Sequence, residues 1–160
     1  MPVHPNAAAI ERFYRAFDAC DAAAMNALYA PDATFRDPAF GDLDGDEVRA
    51  MWTMLTGQAK DLSVVVRDVE AGDERGSAHW TATYTFGATG RPVVNEIDAS
   101  FRFRDGLVVE HVDRFSFWRW SRQALGPVAF VMGTNPVGHA LVRRRARGQL
   151  EQFMAARATP

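Results

Sequence analysis

The residues best suited to proton chemistry are Asp98, His111 and Asp113, and a hairpin would bring them together. Asp105-Gly106 separates two alternating runs, Val93 to Arg104 and Leu107 to Trp118. Asp-Gly in that position signals a two-residue type I′ turn. Counting back from such a turn pairs Arg104 with Leu107, Arg102 with Val109, Ser100 with His111, Asp98 with Asp113 and Glu96 with Phe115. Directly opposed residues share a sheet face, with Cβ atoms about 4.5–5.5 Å apart. Two carboxylates that close repel, which raises the pKa of one, while a nearby imidazolium acts the other way. This is how a site obtains an acid or base that works near neutral pH. The same pattern has a second reading, in which this polar face is solvated. Ile97, Ala99, Phe101, Phe103, Val108 and Val112 then form the core face, and a β-bulge would change the parity.

These strands need a scaffold, and the rest of the chain supplies one. Ile10, Phe13, Tyr14 and Phe17 recur at helical spacing. Phe13 and Tyr14 are adjacent, so only one is expected to point inward. Asp21 is a good N-cap for a second helix with the stripe Met25, Leu28 and Tyr29, stopped by Pro31. Ala33 to Arg36 is β-prone, and Asp37-Pro38 ends it, because the residue before proline is pushed to extended geometry. Asp42 to Gly45 reads as a turn. Asp46 starts a third helix with the face Val48, Met51, Trp52 and Leu55, stopped at Gly57. From Leu62 the period becomes two. Trp80, Ala82, Tyr84 and Phe86 alternate with Thr81, Thr83 and Thr85. Helices first and strands afterwards predict an α+β fold enclosing one largely apolar pocket. Val137 to Ala156 reads as a final helix.

The 160 residues suit one domain, expected as a unit over 1–120 with a helical extension of the same domain over 121–160. A net charge of −2 gives no field that would attract nucleic acid or an anionic membrane, so neither is an expected partner. The lone Cys20 is expected to be a buried structural thiol. No leader or spanning run is visible, which gives a cytoplasmic location by default. His111 and Asp113 offer two ligand types on one strand face, but His4, His79 and His139 add no supporting spacing. No metal is therefore expected. The run Arg143-Arg144-Arg145 is read as a solvated helix face or a dimer contact.

Two segments resemble a known superfamily. Leu28-Tyr29-Ala30-Pro31-Asp32-Ala33-Thr34-Phe35-Arg36-Asp37-Pro38 is similar to the helix-to-strand signature of nuclear transport factor 2-like proteins. That group includes SnoaL-like polyketide cyclases, ketosteroid isomerases and limonene-epoxide hydrolases. Phe101 to Asp113 is similar to its closing hairpin. The resemblance implies a cone-shaped, strongly curved mixed or antiparallel sheet wrapped around N-terminal helices, with an extra C-terminal helix here. It also implies a pocket for a small hydrophobic molecule, no cofactor, and a homodimer. Asp37 matches the general-base aspartate of the isomerases, and Asp113 matches the acid of the cyclases' H-x-D run. Asp98 lies close to the isomerases' hydrogen-bond-donating acid. Met51, Trp52, Trp80, Tyr84 and Phe115 match positions that line the pocket or face inward.

The departures narrow the chemistry. The isomerases' oxyanion tyrosine falls on Phe13, which cannot donate a hydrogen bond; Tyr14, next on the helix, is the candidate donor in its place. The hydrolases' Arg-x-Asp pair, expected near His79 to Thr81, is absent. The expected function is cofactor-independent proton transfer of the isomerase, cyclase or dehydratase type. The alternative is a non-catalytic ligand-binding or dimerisation module. Shared fold does not decide between them.

Overall fold

A computed structural model describes residues 2–132 and 135–158. Met1, Gly133, Thr134, Thr159 and Pro160, which the expected segments 1–120 and 121–160 include, lie outside the described residues. The element order is α1 (Pro5–Asp18), α2 (Ala22–Asn26), β1 (Tyr29–Asp37), β2 (Gly41–Asp44), α3 (Gly45–Gln58), β3 (Ser63–Ala71), β4 (Arg75–Phe86), β5 (Arg91–Arg104) and β6 (Leu107–Arg114). Helices α4 (Phe117–Leu125), α5 (Ala129–Met132) and α6 (Pro136–Ala158) follow, with one 3₁₀ turn between α4 and α5. The fold is α+β, as expected. The six strands form one curved sheet in the order β2-β1-β6-β5-β4-β3. Only β1 and β6 run parallel among these pairs.

Helix α1 is tied to β3 and the turn after it at both ends. The Asn6 side-chain amide donates to the carbonyls of Gly72 and Asp73, and the Val64 N–H donates to Asp18. The helix lies close to the sheet, and Gly76 makes that approach possible. A Cβ at Gly76 would stand 2.8 Å from Ile10 Cδ1. At this depth both Phe13 and Tyr14 are buried, contrary to the expectation that only one would be. Their rings meet edge to face at 5.0 Å. A helix half-surrounded by a curved sheet presents a wider apolar arc than one lying on a flat sheet.

Several elements differ from the sequence reading. Tyr29 begins a strand instead of closing the stripe of α2. Gly41–Asp44 is a strand paired with β1, not a turn. Strand β6 stops at Arg114, because Ser116 caps α4 by accepting from the Arg119 N–H. Cys20 is exposed, with φ of 55°, at the left-handed position that ends α1. The chain must turn sharply there to reach Asp21, so the thiol points outward.

The hairpin carries the most consequential difference. Asp105 and Gly106 have φ of 54° and 79°, as a type I′ turn requires, and Arg104 pairs with Leu107. Phe103 then pairs with Val108, but Arg102 pairs with Glu110, so Val109 is an extra residue. This bulge shifts every later pair by one. Phe101 faces His111, Ala99 faces Asp113, and Asp98 faces Arg114. The two competing readings of the hairpin thus merge. The apolar face of β5 and the polar positions of β6 lie on the same inner side.

Candidate functional site

The inner face of β6 carries His111 and Asp113, which are 0% and 4% exposed. His111 Nε2 lies 2.9 Å from Asp113 Oδ1. The other ring nitrogen, Nδ1, lies 2.7 Å from the Tyr29 hydroxyl. Trp52 on α3 donates to that hydroxyl at 2.9 Å, and Trp80 on β4 donates to Asp113 Oδ1 at 3.4 Å. Five side chains from β1, α3, β4 and β6 therefore form one buried polar chain. Its surroundings are aromatic. Phe13, Phe35 and Phe101 pack on the imidazole with ring centroids 5.9, 5.1 and 4.4 Å away. Burying this many polar atoms is tolerable only because they satisfy one another.

Asp37 joins this site through the parallel pairing. Phe35 pairs with His111 and Arg36 with Val112. One step further places Asp37 beside Asp113 on the same inner face, on strands about 4.8 Å apart. The Asp37 carboxylate accepts from the backbone N–H groups of Ala39 and Phe40, at 2.9 and 2.6 Å. Those bonds, and the Arg143 guanidinium, favour its ionised form. Burial outweighs them and, aided by the charge of Asp113, pushes the Asp37 pKa up to about 7. Burial also raises Tyr84, opposed by its hydrogen bond from Trp120 and aided by the charge of Asp37. Asp37, Asp113 and Tyr84 thus share one electrostatic environment.

The predicted residues divide clearly. Asp37, His111 and Asp113 come together, lined by Trp52, Trp80 and Tyr84. Met51 is buried in the same core, and Phe115 is partly buried beside Tyr84. Tyr14 packs against Trp80 with ring centroids 5.4 Å apart and the planes tilted by 37°, and its buried hydroxyl has no hydrogen-bond partner among the described residues. Asp98 does not join the group. The bulge turns it to the outer face, where its side chain is 78% exposed and His79 Nδ1 lies 2.7 Å away. Glu96 occupies the other nitrogen of His79.

Sequence reasoning missed two inner polar groups. Tyr29 fits the stripe of α2 by spacing but begins β1. Asn95 pairs with Ala82, which fixes it on the inner face, and it is 9% exposed. An asparagine between Val93 and Ile97 at period two was the available signal.

His111, Asp113, Met51, Trp52 and Trp80 are buried among the side chains of the core, and C-terminal helices cover the end of the sheet that carries Asp37. On α4, Phe117, Trp120 and Ala124 pack with Val93, Tyr84 and Phe115, and Trp120 donates to the Tyr84 hydroxyl at 2.8 Å. On α6, Arg143 lies against Gly41, and Arg147 donates to the Asp42 carbonyl at 2.6 Å. Arg143, Arg144 and Arg145 are otherwise exposed. Depressions of roughly 640 and 300 Å³ open elsewhere, among residues such as Glu70, Arg75, Arg102 and Arg114, and none of the predicted site residues lines them. Among the described residues no group of three or more His, Cys, Asp or Glu could hold a metal ion. No helix among them is long and apolar enough to cross a membrane.

Comparison with known proteins agrees with this architecture. The profile of the SnoaL-like domain matches residues 10–111. IdmH from Streptomyces antibioticus, a candidate polyketide cyclase, is 23% identical with a TM-score of 0.63, over 75% of this chain and 98% of that one. A protein of ketosteroid isomerase-like fold from Catenulispora acidiphila, solved with trimethylamine, is 16% identical with a TM-score of 0.65, over 74% and 93%. A candidate polyketide cyclase from Xanthomonas campestris is 21% identical with a TM-score of 0.62, over 74% and 96%. At these identities the likeness establishes the fold. Among curated proteins none matches.

Proposed function

Because the chain belongs to the SnoaL-like domain family, we propose that it binds a small hydrophobic molecule and transfers a proton within it without a cofactor. The observation that carries this reading is the pair Asp37 and Asp113. Two carboxyl groups share one inner face, and their surroundings differ. Asp113 accepts on Oδ1 from Trp80 and pairs there with His111, an arrangement suited to a carboxylate. Burial pushes the Asp37 pKa up to about 7, so this carboxyl can hold or release a proton near neutrality. Groups whose surroundings hold them in different protonation states are the usual acid and base of such sites.

In the proposed mechanism the second oxygen of Asp113 removes a proton from a carbon next to a carbonyl. The developing enolate oxygen takes a hydrogen bond or proton from Asp37, with the Tyr84 hydroxyl, which shares the environment of Asp37, as a further donor. The aromatic lining keeps water out, so these fixed donors act strongly. Asp98, turned to solvent, has no part in this scheme. Substrate entry requires the α4–α6 cover to move.

The test is deuterium wash-in. A panel of apolar enolisable ketones is incubated in D₂O with the protein and followed by NMR. Exchange is expected for at least one member. It should fall by about 10²-fold or more in Asp113→Asn, as expected for loss of a general base. A second reading is a ligand-binding or dimerisation module, favoured by the burial of His111 and Asp113 under α4 and α6. Ligand-induced shifts with no exchange across the panel would support that reading instead.

A further inference from the structure

We propose that Tyr29 is a positioning residue that holds His111 as the neutral imidazole protonated on Nε2, leaving Asp113 one bound oxygen and one free. This rests on the reading of Asp113 as the base. The inference follows from counting protons along the buried chain. An indole N–H can only donate, so the Trp52 and Trp80 contacts have fixed direction. Trp52 donates to the Tyr29 oxygen, and Trp80 to Asp113 Oδ1. The Tyr29 proton then needs an acceptor, and His111 Nδ1 at 2.7 Å is the one it meets. An accepting Nδ1 leaves the ring proton on Nε2, pointed at Asp113 Oδ1 2.9 Å away. Every polar hydrogen along the line is then used. If Nδ1 carried the proton instead, the Tyr29 hydrogen would be stranded in a buried site, which is costly.

The groups facing His111 support this direction. Tyr29 from β1, Trp52 from α3, Asp113 from β6, and the rings of Phe13, Phe35 and Phe101 enclose it. Tyr14 and Asp37, both close to Asp113, are the other titratable groups there. Burial, and then the charge of Asp113, raises Tyr14 and Tyr29 well above the ordinary tyrosine value, so both keep their protons. Tyr29 therefore stays a donor. A hydrogen bond to the neutral form of a base opposes its protonation. Tyr29 thus fixes the tautomer in which His111 presents its Nε2–H to Asp113 Oδ1, and the second carboxylate oxygen is left for the proposed chemistry.

The experiment is long-range ¹H–¹⁵N NMR of the imidazole in the full-length protein, which separates the two tautomers and the imidazolium without any turnover. Wild type at pH 7 should show Nε2–H with an unprotonated Nδ1. Tyr29→Phe should raise the ratio of the Nδ1–H to the Nε2–H tautomer by up to about tenfold, the size of one neutral hydrogen bond. Trp52→Phe, which keeps Tyr29, should shift it less. A wild-type ring protonated on Nδ1, or an imidazolium at pH 7, would overturn the proposal. So would a Tyr29→Phe variant, folded by its amide spectrum, whose His111 keeps the wild-type tautomer ratio. Either result leaves the deuterium wash-in test standing, so the two ideas fail separately.

Discussion

Asp37 and Asp113 stand one residue beyond the paired residues Arg36 and Val112 on the parallel strands β1 and β6. The parallel register, more than the hairpin, is what puts two carboxyl groups on one inner face. Their proximity is visible in Asp37, whose pKa burial and the Asp113 charge carry to about 7.

That shift makes stability depend on pH in a stated direction. Unfolded Asp37 titrates near the ordinary value of about 3.9. Between that value and about 7 the folded chain holds a proton that the unfolded chain releases, so folding weakens as pH rises through this window. Below it both states are protonated and the effect vanishes. Asp37→Asn keeps an acceptor for the Ala39 and Phe40 N–H groups and removes the penalty. We expect Asp37→Asn to gain on the order of 3 kcal/mol over wild type at pH 8, and nothing at pH 3.5. Urea unfolding at the two pH values checks it.

Asp98 gives the contrasting case. It lies on the outer face with His79, whose pKa is raised by Glu96 first and Asp98 second. Asp98→Ala should lower the His79 pKa. It should change stability by less than about 1 kcal/mol, because exposed ion pairs contribute little. It should leave the wash-in rate within twofold of wild type. An NMR titration of His79 beside the exchange assay reads both.

Gly76 tests the close seating of α1. An added methyl meets Ile10, Ala71 and Phe103 within 3.2 Å. Overpacking of this kind costs about 1–3 kcal/mol. Gly76→Ala should lower the urea midpoint by that free energy divided by the m-value, at unchanged slope.

Trp120 tests the cover. Trp120→Ala removes its packing on Phe86 and Phe117 and its hydrogen bond to Tyr84. We expect a loss of about 3 kcal/mol or more. The Asp37 pKa should also fall, since burial is its leading cause. Carboxyl NMR of the variant reads the second effect directly.

What the sequence disclosed, and what it hid, follows from period and spacing. The helix-then-strand order and the Asp105-Gly106 turn were readable because each is a local signal. The bulge at Val109 was not, since nothing in Val108-Val109-Glu110 marks the extra residue, yet it alone decides the side on which Asp98 falls. Tyr29 is ambiguous in the sequence because, at i+4 from Met25, it fits a helix stripe as well as a strand start. Phe117 to Trp120 continue an aromatic alternation, and only the cap at Ser116 turns them helical. Asp37 stands out in the sequence only through the resemblance of its segment to the superfamily. Its meeting with Asp113 is a long-range pairing that no local pattern contains.

The most direct measurement is a ¹³C carboxyl titration of Asp37 in wild type and in Asp113→Asn. One shared site predicts a wild-type midpoint near 7 that moves down when the Asp113 charge is removed. An Asp37 that titrates near 3.9, unchanged by Asp113→Asn, would contradict the account.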